Sequence, residues 1–381
     1  MQLSLLDLPD DVLATVVARF PVLKAKIRLE RVCRRFQELL RNNPACWKNC
    51  WSVEVRRSCN TKNCYEGRWA INGHQQSVEQ VLTVFDLVMN IAPIRQLSLN
   101  ILYTRRSAFL QLVLSRLADI LRVCRRPVKL AKLVYVCDSA DGFLLLMPIL
   151  RFIQSISTIQ LQTQCSNEEQ MDFVVTRFPD LQSIDIRACG PFVPLTISPT
   201  ALQQLRRLSL EDAVEFKESH VAALLNGCPN LCALAVVGER CFRPNLLFNK
   251  LTDETVDRLS ELELWIDQTE PRAFTQLCLN LFPSLVRLAV GKVPAKWSVD
   301  DLVDSVALCV EYVRAWKRET LLLQANFACA DSVLFEAELK KKMSALQVSV
   351  RDKNTFYCAK GDAKVTVERY HRFAKYHGDL H

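Results

Sequence analysis

Few residues in this sequence are of a type and spacing suited to chemistry. Its 381 residues include five histidines, and three of them, His371, His377 and His381, cluster near the carboxyl end. His74 and His220 have no nucleophile motif such as G-x-S-x-G beside them. Cys46-x-x-x-Cys50 and Cys59-x-x-x-x-Cys64, with His74 beyond, suggest zinc ligands, but these are not the tight pairs of structural zinc sites. Scattered core thiols, acting as small buried hydrophobes, are the stronger reading. The nine glycines form neither a Walker loop nor a G-x-G-x-x-G turn. No catalytic residue, cofactor or metal is expected.

Composition points to a large buried core. Half of the residues are hydrophobic and 24% are charged, which excludes a disordered tail. The length exceeds one ordinary core and predicts several domains or a repeat array. The first twenty residues carry Asp7, Asp10 and Asp11 where a secretory signal needs a basic start and an apolar stretch. No apolar run approaches the roughly 20 residues of a membrane span. The expectation is an intracellular protein, cytoplasmic or nuclear, with reduced thiols. The net charge of +8 is unevenly spread. Residues 1–132 hold 22 Lys/Arg against 10 Asp/Glu, 133–339 hold 17 against 27, and 340–381 hold 10 against 4. Basic ends raise the question of nucleic acid, but basic helices are commonly just solvated faces, and no nucleic-acid partner is expected.

A repeat runs through most of the chain. The pattern apolar-x-x-apolar-x-apolar begins at Ile94/Leu97/Leu99 and Leu130/Leu133/Tyr135. It continues at Ile156/Ile159/Leu161, Leu181/Ile184/Ile186, Leu205/Leu208/Leu210, Leu231/Leu234/Val236, Leu259/Leu262/Leu264, Leu285/Leu288/Val290 and Met343/Leu346/Val348. A further copy, Leu321-x-Leu323, has Arg318 in place of its first apolar residue. From Leu133 to Leu288 the interval stays between 24 and 28 residues. Alternation at the end of each unit predicts a short strand with one buried face. The intervening segments 105–123, 167–178, 215–227, 270–282 and 328–342 predict helices that return the chain. Ser298-Val-Asp-Asp301 predicts a capped helix start. Phe-Pro-Asp-Leu181, Cys-Pro-Asn-Leu231 and Phe-Pro-Ser-Leu285 each place a proline where a helix must stop.

These units resemble leucine-rich repeats, and Cys-Pro-Asn-Leu-x-x-Leu-x-Val at 228–236 resembles the cysteine-containing type found in F-box proteins. The resemblance covers about 91–350, some ten units, and implies an α/β horseshoe with a curved parallel sheet and outer helices. Residues 53–90 are expected to bridge, partly as a helix around Val78–Met89. Two β-rich runs around Lys360-Gly361-Asp362 predict a hairpin in 351–381 that caps the array.

The amino-terminal residues read as a compact helical unit. Leu8-Pro9-Asp10-Asp11 is a helix start, with acids complementing the dipole. Val12, Leu13, Val16, Val17 and Phe20 form an apolar stripe, and a second helical stretch, Lys24–Leu40, leads to Trp47. Leu8-Pro9, Leu13, Val17, Phe20, Val32-Cys33-Arg34-Arg35-Phe36 and Trp47 resemble, in order and spacing, the F-box, a three-helix unit placed here at 6–52. Phe20 and Phe36 stand where the family more commonly has Leu and Trp. The resemblance implies docking onto the Skp-family adaptor of a cullin–RING (SCF) ubiquitin ligase through Leu8, Pro9, Leu13, Val17, Val32, Cys33 and Phe36, with Trp47 bracing the last helix. Alternatively, these residues simply fill a small core.

In such repeats the non-leucine strand positions face the concave surface. That places Asp185, Arg187, Arg207, Glu211, Glu261, Glu263, Trp265 and Arg287 together as a candidate protein-substrate surface. Trp265 is either an interface anchor or tucked into the neighbouring strand. Two functions remain open. One is a substrate receptor for ubiquitination. The other is a repeat scaffold whose basic ends contact anionic partners.

Overall fold

The computed structural model describes residues 7–20, 23–30, 32–48, 50–58, 68–101, 108–137, 142–163, 168–188, 203–211, 218–237, 244–265, 271–291, 297–325, 331–344, 346–352, 355–360 and 363–369. The chain divides into two units, Met1–Val193 and Pro194–His381. Each is mixed α/β and is built on an open, mostly parallel sheet.

The first unit opens with helices α1 (Asp10–Ala18), α2 (Leu23–Glu30) and α3 (Arg34–Asn42) and a 3-10 turn at Pro44–Trp47. The single stretch expected over Lys24–Leu40 is thus two helices. Cys33 is fully extended (φ −159°, ψ 163°) and acts as the N-cap residue of α3, so the chain bends there. Strands and helices then alternate as β1 (Ser52–Ser58), β2 (Arg68–Ile71), β3 (His74–Gln76), α4 (Val78–Ile91), β4 (Gln96–Ile101), α5 (Ala108–Val123), β5 (Val128–Cys137), α6 (Gly142–Leu150), β6 (Ile153–Thr163), α7 (Glu168–Arg177) and β7 (Ser183–Ala188). The strand order is β3-β2-β1-β4-β5-β6-β7, parallel from β1 to β7.

The second unit runs β8 (Arg207–Glu211), α8 (Glu218–Gly227), β9 (Ala233–Val237), α9 (Pro244–Phe248), α10 (Asp253–Arg258), β10 (Glu261–Trp265), α11 (Pro271–Leu281), β11 (Arg287–Gly291), α12 (Val299–Ala315), β12 (Thr320–Ala325), α13 (Ser332–Lys342), β13 (Gln347–Asp352), β14 (Thr355–Lys360) and β15 (Ala363–Arg369). Its order is β8-β9-β10-β11-β12-β15-β14-β13.

Within each unit the parallel strands follow one another in sequence order. Crossovers of a single hand then put every connecting helix on the same face. Burial agrees with this. In β4 the residues Leu97, Leu99 and Ile101 are fully covered while Gln96, Ser98 and Asn100 are half-exposed. Tyr135 takes a position that is aliphatic in neighbouring strands, and its hydroxyl donates to the Gly142 carbonyl at 2.6 Å, so its burial strands no polar atom.

The repeat is also written in backbone bonds. The carbonyl just before five of the strands accepts two N–H groups from the strand that follows in the sheet or from its approach. Trp51 accepts from Arg95 and Gln96, Arg95 from Ala131 and Lys132, Arg206 from Cys232 and Ala233, Cys232 from Ser260 and Glu261, and Ser260 from Val286 and Arg287. The proline phrases form one recurring turn. Phe178, Cys228 and Phe282 donate to the helix behind them, and their carbonyls accept from Leu181, Leu231 and Leu285. All three side chains are buried. Burial pushes the Cys228 thiol up to about 11, which makes it an inert core group.

Arginines reinforce the same corners. Arg177 donates to the carbonyls of Arg151 and Ile153, and Arg258 to those of Leu225 (2.6 Å) and Leu231 (2.9 Å). Arg318 donates to the Pro283 carbonyl at 2.9 Å. At the one unit that lacks its first apolar residue, charge-assisted bonds therefore replace burial.

Two features depart from the sequence expectation. The 53–90 segment carries α4 where a helix is expected, but it also carries β1, β2 and β3. Asn72 (φ 46°) and Gly73 (φ 77°) form the two-residue turn between β2 and β3, and Asn72 Oδ1 accepts from the Glu54 N–H at 2.7 Å. At the other end, the hairpin β14–β15 pairs Lys360 with Ala363 and lies inside the sheet. β15 runs parallel to β12, and β13 is antiparallel to β14. The Met343/Leu346/Val348 copy thus has no parallel neighbour. Pairing β14 with β15 closes only a two-residue loop, and β15 supplies Val365 and Val367 against Leu321 and Leu323.

Candidate functional site

The helical unit is filled from within. Leu13 and Val17 are each 1% exposed and Phe36 is 5% exposed, packed with Leu39, Leu40, Cys46 and Trp47. Trp47 Nε1 donates to the Leu40 carbonyl at 2.7 Å, which satisfies an acceptor in the last turn of α3. Lys26 is buried as well. Its Nζ donates to the Cys46 carbonyl at 2.6 Å and lies 5.7 Å from the centroid of the Trp47 ring. Burial lowers its pKa from the usual lysine value, opposed by the thiols of Cys50 and Cys46. Arg35 joins the two ends of the unit. Its Nη2 donates to the Leu8 carbonyl and to Asp10 Oδ1, both at 2.7 Å.

An apolar set remains on the outside. Val32 is 65% exposed, Phe20 41% and Val12 40%; Pro9 is exposed, and Leu8 and Cys33 are half-buried. The residues gathered from sequence as one docking surface therefore occupy two layers. Leu13, Val17 and Phe36 hold the unit together. Leu8, Pro9, Val32 and Cys33 present surface, joined by Val12 and Phe20.

The second candidate surface is the face of each sheet that carries the half-exposed strand positions. In the first unit Asp185 is half-buried beside Gln160, and Arg187 pairs in register with Gln162. In the second unit, register places Arg207, Ala233, Glu261 and Arg287 in one row, and Ser209, Ala235, Glu263, Ala289 and Gln324 in the next. Glu261 Oε2 accepts from Arg207 at 2.8 Å and from Arg287 at 3.3 Å. Glu263 is only 3% exposed and lies 3.8 Å from each guanidinium. Arg287 also donates to Gln324 Oε1 at 2.8 Å, and Gln324 donates to Glu368 at 3.0 Å. The alanines form a covered floor beneath these arms.

Of the eight residues expected on this face, four, Arg207, Glu261, Glu263 and Arg287, form one network. Glu211 ends β8 opposite Val237, and Trp265 ends β10 opposite Gly291. The side chains of Arg187, Glu211 and Trp265 lie outside the described residues. Gln324 and Glu368 are additions that sequence reading missed. Gln324 sits at the matching position of its own x-Leu-x-Leu strand, which was the available signal. Glu368 had none, because its strand joins the sheet out of order.

Among the described residues no group of three or more His, Cys, Asp or Glu side chains is placed to hold a metal ion. Cys46 and Cys50 are buried, whereas Cys59, Cys64 and the His74 side chain lie outside the described residues. Among the described residues no helix is long and apolar enough to cross a membrane. No family model and no curated protein matches this chain.

Proposed function

We propose that this chain is the substrate-receptor subunit of an SCF-type ubiquitin ligase. Its helical unit docks on the Skp-family adaptor, and its sheet face holds a protein substrate for ubiquitination. The chain itself is non-catalytic, and ubiquitin transfer belongs to the conjugating enzyme and RING subunit recruited through the cullin. The observation that carries this reading is the exposed apolar set Val12, Phe20 and Val32 on a unit whose own core is already full. Such a set on about fifty residues suits burial by a partner. The order Leu8-Pro9 to Trp47 supports the F-box assignment of that unit. The recurring strand–corner–helix pattern supports leucine-rich repeats.

Co-purification of the full chain with the adaptor tests the reading. Wild type should retain it, and Val12→Asp combined with Val32→Asp should release it without changing the circular dichroism spectrum. A wild type that never binds the adaptor, or a double variant that binds it undiminished, overturns the proposal.

A further inference from the structure

The amino-terminal helices and the first crossover helices of the same unit enclose an open groove of about 790 Å³. One wall comes from the end of α2 and the end of α3, and the other from α4 and the turn after α5. Leu87, Ile91 and Val123 give it an apolar side, and Val123 is 64% exposed.

The charged groups in the groove are unequally engaged. Glu30 holds Arg41 at 2.7 Å, and Asp86 accepts from Asn90 at 2.8 Å. Arg125 and Arg126 are exposed, and among the described residues neither guanidinium has a partner. The helix dipole does not account for them. It fades beyond the last turn, and both residues follow the end of α5 at Val123. Arg122, which does lie in that turn, is paired with Asp119 at 3.1 Å. What holds them there is a backbone bond, since the Arg125 N–H donates to Asn90 Oδ1 at 3.2 Å.

We propose that this groove binds an acidic, aliphatic peptide segment of a protein partner. Aliphatic side chains lie against Leu87, Ile91 and Val123, and carboxylates meet the guanidiniums of Arg125 and Arg126. The volume is that of a site for a few residues of extended chain. A nucleic-acid backbone fits less well, because it brings no apolar group for Leu87, Ile91 and Val123. The site is separate from the apolar docking set and from the sheet face, so it stands or falls independently of the ligase reading.

Fluorescence anisotropy on the full chain tests it, with a labelled hexapeptide Leu-Asp-Asp-Leu-Glu-Leu as probe. Controls are the same peptide with every acid changed to Lys and a short oligothymidylate. The acidic peptide should bind saturably. Arg125→Ala with Arg126→Ala should weaken it by about tenfold or more, the scale of lost charge-assisted hydrogen bonds, and Val123→Asp should do likewise. Both sites are exposed, so folding is preserved. Absent or unsaturable binding, equal binding of the Lys peptide, binding of oligothymidylate alone, or an undiminished double variant overturns the proposal.

Discussion

Arg207 on β8 reaches across the whole of β9 to meet Glu261 on β10 at 2.8 Å. Ala233 and Ala235 make that reach possible, because a larger side chain on β9 would block the arm. Two acids therefore serve the same arginines at different depths, Glu261 near the surface and Glu263 beneath it. Glu263→Ala should cost about 1–3 kcal/mol, since it removes a buried carboxylate and leaves the two guanidiniums to share Glu261 alone among the described acids. Glu261→Ala should cost less than about 1 kcal/mol, as befits a partly exposed pair. Urea unfolding midpoints at an unchanged slope check the difference.

The arginine at each corner acts through carbonyls and not through carboxylates. Arg258→Met removes charged donors to Leu225 and Leu231 while keeping the aliphatic stem. A loss of about 2 kcal/mol is expected, with faster amide hydrogen exchange at Cys232 and Ala233. Arg122→Met, which breaks only a surface pair, should change stability by less than about 0.5 kcal/mol.

Trp47 is tied to Leu40 through its indole N–H. Trp47→Phe keeps most of the ring but strands that buried carbonyl, for about 1–3 kcal/mol. Exchange protection in the last turn of α3 should fall first.

Lys26 gives the helical unit a pH signature. Its folded pKa is lowered, so between that value and the ordinary one near ~10.4 the unfolded chain binds more protons. Stability relative to Lys26→Met should therefore rise as pH increases from neutral towards about 10. Buried thiols and tyrosines remote from Lys26 titrate in the opposite sense in both proteins and cancel in the difference, and a Cys46→Ala, Cys50→Ala background removes the two thiols that act on it. Paired thermal melts across that range are the measurement, and a flat or falling difference contradicts it.

Legibility followed periodicity. Leu97, Leu133, Ile159 and Ile184 announced their strands because a buried face repeats every second residue, and Ser298 announced α12 because a cap needs a hydroxyl. Its Oγ indeed accepts from the Asp301 N–H at 3.1 Å. Asn72-Gly73 carried a hairpin signal that sequence reading passed over. Lys26 looked like any helix-surface lysine, and only the packed Trp47 ring and Cys46 carbonyl reveal where it goes. The split of the F-box-like residues into filled core and open surface was equally invisible, since Leu13 and Val32 differ in exposure and not in type. The two-sided partnership of Arg287 depends on strand order, which a linear pattern does not carry.

That strand order bears on how the protein is made. β15 leaves the ribosome after β13 and β14, yet it is the strand that pairs with β12. Until residue 369 is free, the edge of β12 lacks its neighbour, and Phe356, Val365 and Val367 have no cover. Unshielded edges of this kind invite pairing with other chains. The second unit is thus completed only once β15 has emerged, and nascent chains halted near residue 352 should be the ones that chaperones hold longest.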